Sequence, residues 1–226
     1  VEALLRLKDD KLGDISPCIF IPVLENLGLI SEVGCWMMNR ACLDYLLWKK
    51  SSEVFTLILS VNISAEELKY AGYADQVSSI LSATGFESEF LQIEVTESAF
   101  LKESDLITSN LNKIRSLGGR VVLDNFGAGY SSISHIEKYP IDLVKIDSAF
   151  FSGMMVSDRS AAIVKCLIDL CSVLGMDIIA EGVQSSAQLA KIYSLGCYFQ
   201  QGCHIGKPLE SKDVIGFLNS FCMRGK

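Results

Sequence analysis

The chain has 226 residues, of which 50% are apolar and 21% are charged. This composition excludes a disordered chain, and the length suits one domain with a large hydrophobic core. The formal net charge of −7 provides no basic surface for a nucleic-acid backbone, so we expect neither DNA nor RNA as a partner.

Short runs of β-branched and aliphatic residues alternate with longer stretches of helical periodicity along the whole chain. This alternation is typical of parallel strands joined by crossover helices, so it predicts an α/β fold. The predicted strands are Val1–Leu5, Phe55–Ile63, Leu91–Val95, Val121–Asp124, Leu143–Ile146, Asp177–Ala180 and Tyr198–Gln200. The predicted helices are Leu29–Lys50, Glu66–Ala83, Glu103–Leu117, Asp158–Leu174, Ala187–Ser194 and Ser211–Phe221.

Local sequence also indicates where several of these helices begin and end. Asp158 and Ser211 have the side-chain oxygens of N-cap residues, so we predict N-caps there. Gly118, Gly175 and Gly196 follow helical patterns and have the backbone freedom that helix ends require. We predict that three helices end at these glycines.

Seven predicted strands are one fewer than a closed parallel barrel needs. We therefore expect the first strand to lie upstream of Val1, and the chain to be an N-terminally truncated fragment of a longer protein. An open doubly wound sheet is the alternative, but no glycine-rich nucleotide motif follows the first strand. We predict a (β/α)8 TIM-like barrel that occupies residues 1–226 as a single domain.

Cysteine usage and hydropathy bear on the location of the domain. Eight cysteines are scattered without a Cys-x-x-Cys pair, and there are only two histidines. This pattern disfavours a zinc site and predicts reduced, buried cysteines in a cytosolic domain. Because no apolar run approaches the ~18 residues of a membrane span, we expect no membrane contact by this domain.

Polar side chains stand at or beside the carboxyl end of each predicted strand. They are Glu2, Asn62, Glu94 with Glu97, Asp124 with Asn125, Lys145, Glu181 and Gln201. Catalytic residues of parallel barrels collect at that end, because all the loops from strand to helix open there. Carboxylates that lie close together repel one another unless a cation separates them, and an oxygen-rich set without histidine favours Mg²⁺ or Mn²⁺.

The alternative is that these acids face solvent and pair with surface lysines or arginines. Glu2, Glu94 and Asp124 stand within apolar strand sequence, where an unpaired charge is costly. The pattern therefore favours a divalent metal site over a set of surface ion pairs.

The segments around these residues follow one another in a distinctive order. They are Glu2-Ala3-Leu4-Leu5-Arg6, Ser16-Pro17 with Phe20-Ile21-Pro22, Val61-Asn62-Ile63-Ser64, Glu94-Val95-Thr96-Glu97-Ser98, Asp124-Asn125-Phe126-Gly127, Lys145-Ile146-Asp147, Ala180-Glu181-Gly182-Val183, and Gln201-Gly202 with Lys207-Pro208-Leu209. The series resembles the EAL domain family of cyclic-di-GMP phosphodiesterases and covers essentially the whole chain. The resemblance implies a barrel of the EAL type and hydrolysis of cyclic di-GMP to linear pGpG.

The resemblance also implies a role for each polar residue. The implied metal ligands are Glu2, Asn62, Glu94, Asp124 and Glu181, with Asp124 shared between two ions. Among the implied catalytic residues, Lys145 orients the attacking water, Glu181 helps to hold the second ion, and Glu97 steadies the loop 125–132. The implied substrate contacts are Arg6, Asn62 and Gln201.

Two positions depart from the family pattern. The family has two aspartates before Phe-Gly, and the second ligates the second ion, whereas this chain has Asp124 followed by Asn125. Asparagine keeps a ligand oxygen but loses the charge, and we expect a loss of at least the 10–100-fold that changes around metal ligands cause. Gln184 replaces a second glutamate that is common in the family. Natural adaptation, degeneration and a deliberate inactivating change are all compatible with Asn125.

Two main functional hypotheses and a weaker third follow. The first is a Mg²⁺- or Mn²⁺-dependent cyclic-di-GMP phosphodiesterase whose activity is weakened by Asn125. The second is a catalytically degenerate cyclic-di-GMP receptor or protein-interaction module, and a barrel that binds neither metal nor nucleotide is a third. Family members often follow sensor or GGDEF domains and often pair near the loop 125–132, so we also expect a homodimer, such upstream domains and a cytoplasmic location.

Overall fold

The strands and helices come from a computed structural model that describes residues 1–51, 56–100, 104–126 and 138–224. The strands are β1 Glu2–Ala3, β2 Leu7–Asp9, β3 Gly13–Ile15, β4 Leu59–Asn62, β5 Leu91–Thr96, β6 Arg120–Phe126, β7 Leu143–Ile146, β8 Asp177–Ala180 and β9 Phe199–Gln200. The helices are α1 Pro17–Asn26, α2 Ile30–Ser51, α3 Ala65–Leu68, α4 Tyr73–Thr84, α5 Asp105–Ser116, α6 Ser148–Ser152, α7 Asp158–Val173, α8 Ser186–Ser194 and α9 Val214–Arg224. Short 3₁₀ helices cover Ser88–Phe90, Glu97–Phe100 and Ser211–Asp213.

Seven strands form one sheet in the order β1-β4-β5-β6-β7-β8-β9. The neighbouring pairs β1–β4, β4–β5, β6–β7, β7–β8 and β8–β9 are all parallel. Within the described residues, helices lie between β1 and β4, β4 and β5, β5 and β6, β7 and β8, and β8 and β9, as parallel pairing requires. The predicted α/β class is confirmed.

The described chain divides into two compact units. The first unit contains Val1–Glu94, Glu103–Gly119 and Glu210–Lys226, and the second contains Val95–Lys102 and Arg120–Leu209. The prediction that residues 1–226 form a single domain stays a prediction.

In the first unit, strands β4 and β5 are covered by helix side chains. Val61 and Ile93 on these strands are fully buried, and α2 contributes Met38 and Tyr45 to the same core. The Tyr45 hydroxyl donates to the Leu57 carbonyl at 2.8 Å, so its polar end is satisfied while its ring is buried. This packing fixes the strands that carry the polar residues of this unit.

In the second unit, strands β6, β7 and β8 carry nearly continuous apolar sequence. Val122 and Val144 are fully buried, as expected for parallel strands that are covered on both faces. Helix α7 buries residues at helical spacing, which are Ala161, Val164, Ile168 and Cys171. The sheet of this unit is therefore a rigid base for the residues at its carboxyl edge.

Several predicted element boundaries are confirmed and others are corrected. Strands β7 and β8 have the predicted bounds. Gly118, Gly175 and Gly196 follow helix ends with φ values of 106°, 72° and 101°, as predicted. The predicted N-caps are wrong by one residue, because Ser157 caps α7 and Glu210 precedes the 3₁₀ helix that begins at Ser211.

Larger corrections concern three helices and a hairpin. The predicted helix Glu66–Ala83 is two helices, α3 and α4, separated by a turn. Helix α1 was not predicted, because its Pro17 and Pro22 disguise the helical pattern. The antiparallel hairpin of β2 and β3 was also missed, and it closes through Asp9, which accepts hydrogen bonds from two backbone amides of the turn.

The cysteines only partly match their prediction. Cys42, Cys171 and Cys197 are buried, and burial raises the pKa of their thiols to about 12, 11 and 11. These thiols stay protonated and act as small apolar side chains. The prediction is wrong for the exposed cysteines, which are Cys18, Cys166 and Cys203. Within the described ranges, no helix is long and apolar enough to cross a membrane.

Candidate active site

The first unit brings together three of the predicted metal ligands at the carboxyl ends of its strands. The parallel register places Asn62 on β4 beside Glu94 on β5. The Asn62 amide nitrogen donates to Oε1 of Glu2 at 2.8 Å, which directs the amide oxygen of Asn62 away from that carboxylate. Glu94 is 2% exposed, so its carboxylate is held among strand residues. These three residues stand on three neighbouring strands and offer carboxylate and amide oxygens.

The loop after Asn62 is fixed by a capping box. Ser64 caps α3: the Ser64 amide donates to Oε2 of Glu67 at 2.9 Å, and the Glu66 amide donates to the Ser64 hydroxyl at 3.1 Å. The Ser64 hydroxyl also donates to Oε1 of Glu25 at 2.5 Å. The carboxylates of Glu25 and Glu67 therefore hold Ser64, the second residue after β4, although the sequence prediction did not include either of them. The Ser-x-x-Glu spacing is the signal that would have found this cap.

Burial raises the pKa of Glu67 to about 7, against the hydrogen bond from Ser64. Glu67 is 2% exposed, and its Oε1 has no hydrogen-bond partner among the described atoms. A Cβ on Gly34 of helix α2 would lie 1.9 Å from this oxygen. The carboxyl group is thus enclosed against a helix position that only glycine can occupy.

The second unit brings together a lysine and two carboxylates. Lys145 on β7 is 1% exposed, and its Nζ lies 3.7 Å from Oδ1 of Asp124 on β6. The same Nζ lies 3.9 Å from Oε1 of Glu181, which follows β8. The three strands are adjacent, and the Glu181 amide donates to the Ile146 carbonyl at 3.0 Å. A buried ammonium is tolerated here because two carboxylates offset its charge.

Asn125 lies at an irregularity of β6. The pairing of β6 with β7 shifts register between Leu123 and Phe126, and Asn125 has a φ of 55°. Its side-chain nitrogen donates to Oδ2 of Asp124 at 2.7 Å. Asp124 therefore accepts an amide hydrogen on one oxygen and lies near an ammonium on the other.

The remaining predicted residues lie in or beside the same two units. Arg6 of the first unit is exposed, and its guanidinium donates to the Leu5 carbonyl at 2.8 Å. In the second unit, the Gln201 amide donates to the Ala180 carbonyl at 2.8 Å, while Glu97 is 8% exposed in a 3₁₀ helix. Residues 127–132 of the loop that Glu97 is predicted to steady lie outside the described residues. The roles of these three residues stay predictions.

The donor chemistry fits a hard divalent cation. Within the described part of the chain, no three Asp, Glu, His or Cys side chains stand together as a preformed cation site. The Asn62 amide donates to the Glu2 carboxylate, and the Asn125 amide donates to the Asp124 carboxylate. Carboxylate and amide oxygens are the ligands that Mg²⁺ and Mn²⁺ prefer.

Comparisons with a family model and with curated proteins match nearly the whole chain. The EAL domain model matches residues 1–208. Among curated relatives, an uncharacterized signaling protein of Caulobacter vibrioides is 37% identical over 92% of this chain and 25% of that protein. The bifunctional diguanylate cyclase/cyclic di-GMP phosphodiesterase MucR of Pseudomonas aeruginosa is 34% identical over 95% of this chain and 31% of that protein. The chain spans about a quarter to a third of the length of these relatives.

Solved structures have the same fold. The PaMucR phosphodiesterase in its c-di-GMP complex superposes with a TM-score of 0.86 at 33% identity, covering 94% of this chain and 86% of that chain. The EAL enzyme Bd1971 with cAMP and cyclic di-GMP bound gives a TM-score of 0.89 at 26% identity, covering 95% and 59%. The predicted fold class, a (β/α)8 TIM-like barrel of the EAL type, is confirmed.

Proposed function

We propose that this chain, which belongs to the EAL domain family of cyclic-di-GMP phosphodiesterases, hydrolyses cyclic di-GMP to linear pGpG with Mg²⁺ or Mn²⁺. The observation that carries this proposal is the burial of Lys145 between Asp124 and Glu181. Placing an ammonium at 1% exposure is costly, and two carboxylates from neighbouring strands offset the cost. Such an arrangement suits a group that must act on a charged substrate.

In this proposal Lys145 holds and orients the water that attacks phosphorus. Its flexible stem is confined by burial, so the ammonium points in one direction, toward the acids at the edge of the sheet. Oriented charge of this kind stabilises developing negative charge without reorganisation during the reaction. Glu97 would act from its 3₁₀ helix by steadying the neighbouring loop.

In the proposal, the ion-binding oxygens are those of six residues that stand at or beside strand ends: Glu2, Asn62, Glu94, Asp124, Asn125 and Glu181. Bound ions supply an activated water and offset the charge of the phosphodiester. Arg6, Asn62 and Gln201 would contact the substrate, with the Arg6 guanidinium on a phosphate.

The relatives support further parts of the proposal. MucR carries a cyclase activity in the same polypeptide, which supports upstream GGDEF and sensor domains for this chain. The solved neighbours bind cyclic di-GMP, which supports that nucleotide as the ligand. A homodimer and a cytoplasmic location complete the proposal, as the resemblance to the family implies.

Turnover of cyclic di-GMP with Mg²⁺ and with Mn²⁺, followed by separation of pGpG, tests the proposal. Lys145→Met should lower kcat by about 10²–10³-fold, the usual cost of removing one oriented donor. Lys165→Met is the matched control, since this exposed lysine pairs with Asp169 on the surface of α7. If the wild-type chain is inactive with both metals, the proposed phosphodiesterase activity is rejected.

A second candidate function is a cyclic-di-GMP receptor, favoured by the contact of Asn125 with Asp124. The amide hydrogen stabilises the Asp124 carboxylate by a hydrogen bond, which requires no second ion. Asn125→Asp removes this hydrogen and adds a like charge, so it should destabilise the metal-free chain. It should also raise kcat about tenfold with Mn²⁺. A variant that binds the nucleotide but never turns it over would point to a receptor. If calorimetry shows no binding of metal or nucleotide, both functions fail.

A further inference from the structure

The loop that carries Glu181 is held to its neighbours by backbone hydrogen bonds. The Glu181 amide donates to the Ile146 carbonyl at 3.0 Å, and the Val183 amide donates to the Gln201 carbonyl at 3.0 Å. The Gln201 amide in turn donates to the Ala180 carbonyl at 2.8 Å. Gln201 is therefore bonded to the Glu181 loop twice, through its amide to the residue before Glu181 and through its carbonyl to Val183.

Two glycines allow the backbones at this junction to approach each other. A Cβ on Gly202 would lie 2.2 Å from the nitrogen and 2.3 Å from the oxygen of Val183. Both are backbone atoms, and they are engaged in hydrogen bonds, the oxygen with the His204 amide at 3.1 Å. On the other side, a Cβ on Gly182 would lie 2.5 Å from Cβ of Ser148, and Gly182 has a φ of 74°. The loop is enclosed from two directions.

We propose that Gly202, together with Gly182, is a positioning residue that holds the Glu181 carboxylate beside Lys145. This inference rests on the proposed function, and it extends that function to residues that touch neither ion nor substrate. A side chain at 202 must separate the two backbones by about 1 Å to reach ordinary contact distance. Glu181 and Gln201, which flank the contact, move with the separated segments.

A displacement of this size matters for the reaction more than for folding. A 1 Å misplacement of a reacting group costs about 10²-fold in rate. The same shift leaves the buried strands intact, because β7 and β8 pair through residues that precede the loop. We therefore expect a loss of turnover with the fold retained.

A double-mutant cycle between positions 202 and 181 tests this inference. Gly202→Ala should lower kcat about 100-fold in the wild-type background. In the Glu181→Gln background the same substitution should lower kcat less than about threefold, because the group that Gly202 positions has already lost its charge. An equal loss in both backgrounds would show that Gly202 acts independently of Glu181 and would overturn the inference.

Gly216→Ala is the matched control, because a Cβ at this position of helix α9 meets nothing within 4 Å. It should leave kcat within the error of the wild type and should not lower the melting temperature, because alanine favours a helix more than glycine does. If Gly202→Ala has wild-type turnover, the inference is overturned while the proposed phosphodiesterase stands.

Two further measurements keep the inference testable. If the wild-type chain does not turn over, the cycle is measured as Mn²⁺ and cyclic-di-GMP affinity by calorimetry. A tenfold loss of affinity in the wild-type background alone supports the inference, and equal losses, no loss or no binding overturn it.

If Gly202→Ala does not fold, Gly182→Ala displaces the loop against the Ser148 side chain instead and should lower kcat at least tenfold. Ser148→Gly should restore part of that activity by removing the nearest clash, while the backbone strain of alanine at a φ of 74° remains, and a fully active Gly182→Ala would overturn the inference.

Discussion

Asn125 shows how one residue combines a conformational and a chemical role. Its φ of 55° lies in the left-handed region, where asparagine, aspartate and glycine cost less than other residues. The backbone therefore accepts either asparagine or the aspartate that the family usually has. Exchange between them changes the charge beside Asp124 and leaves the irregular strand in place, so its effect on turnover is a chemical one.

Glu67 carries the clearest pH dependence among single residues. Burial raises its pKa from 4.5 to about 7, and the nearby Glu25 carboxylate adds to the increase. The folded state binds the proton more tightly, so the stabilisation is complete below pH 4.5 and is lost as pH rises to about 7. The difference corresponds to about 3 kcal/mol. Relative to Glu67→Gln, the wild-type free energy of unfolding should fall by that amount between pH 4.5 and pH 8.

Urea denaturation at several pH values measures this difference. Glu66→Gln is the matched control, since Glu66 is exposed and pairs with Lys69 on the surface. The control should follow the wild type across the range. Parallel pH profiles for wild type and Glu67→Gln would contradict the prediction.

At the scale of elements, one buried side chain explains why the predicted helix Glu66–Ala83 is two. Asn110 on α5 is 1% exposed and donates to the Leu68 and Tyr70 carbonyls at 2.8 Å each. It also accepts a hydrogen bond from the Ala74 amide at 3.3 Å. These bonds satisfy the backbone groups that are released where α3 ends and α4 begins. The break is decided by a residue more than thirty positions away in sequence.

Asn110→Ala should therefore destabilise the fold by about 2–4 kcal/mol, because two buried backbone groups and one partly buried backbone group lose their partner. Asn112→Ala in the same helix is the matched control, since Asn112 is exposed, and it should cost less than about 0.5 kcal/mol. Denaturant midpoints at constant slope measure both changes. Similar values for the two variants would show that the turn is held by other contacts.

At the scale of the whole molecule, the proposed ligands link binding to stability. Ions and nucleotide that bind only the folded chain should raise its free energy of unfolding by about 2.7 kcal/mol at 100 times the dissociation constant. Removal of the ions with a chelator should reverse this gain, because the carboxylates of the proposed site then repel one another again. Thermal unfolding with Mn²⁺ and cyclic di-GMP, with and without chelator, measures the effect. A melting temperature unaffected by either addition would contradict it.

The sequence by itself determined the parallel α/β class, the bounds of β7 and β8, and the polar residues at the strand ends. The spacing of apolar residues in strands and helices depends only on neighbouring residues. The glycines that end helices and the polar residues that follow strands are likewise visible in the sequence. Tertiary structure alone decided the break between α3 and α4, the enclosure of Glu67 against Gly34, and the backbone contact at Gly202. Each of these depends on atoms that are distant in sequence, and no local pattern contains the distance between them.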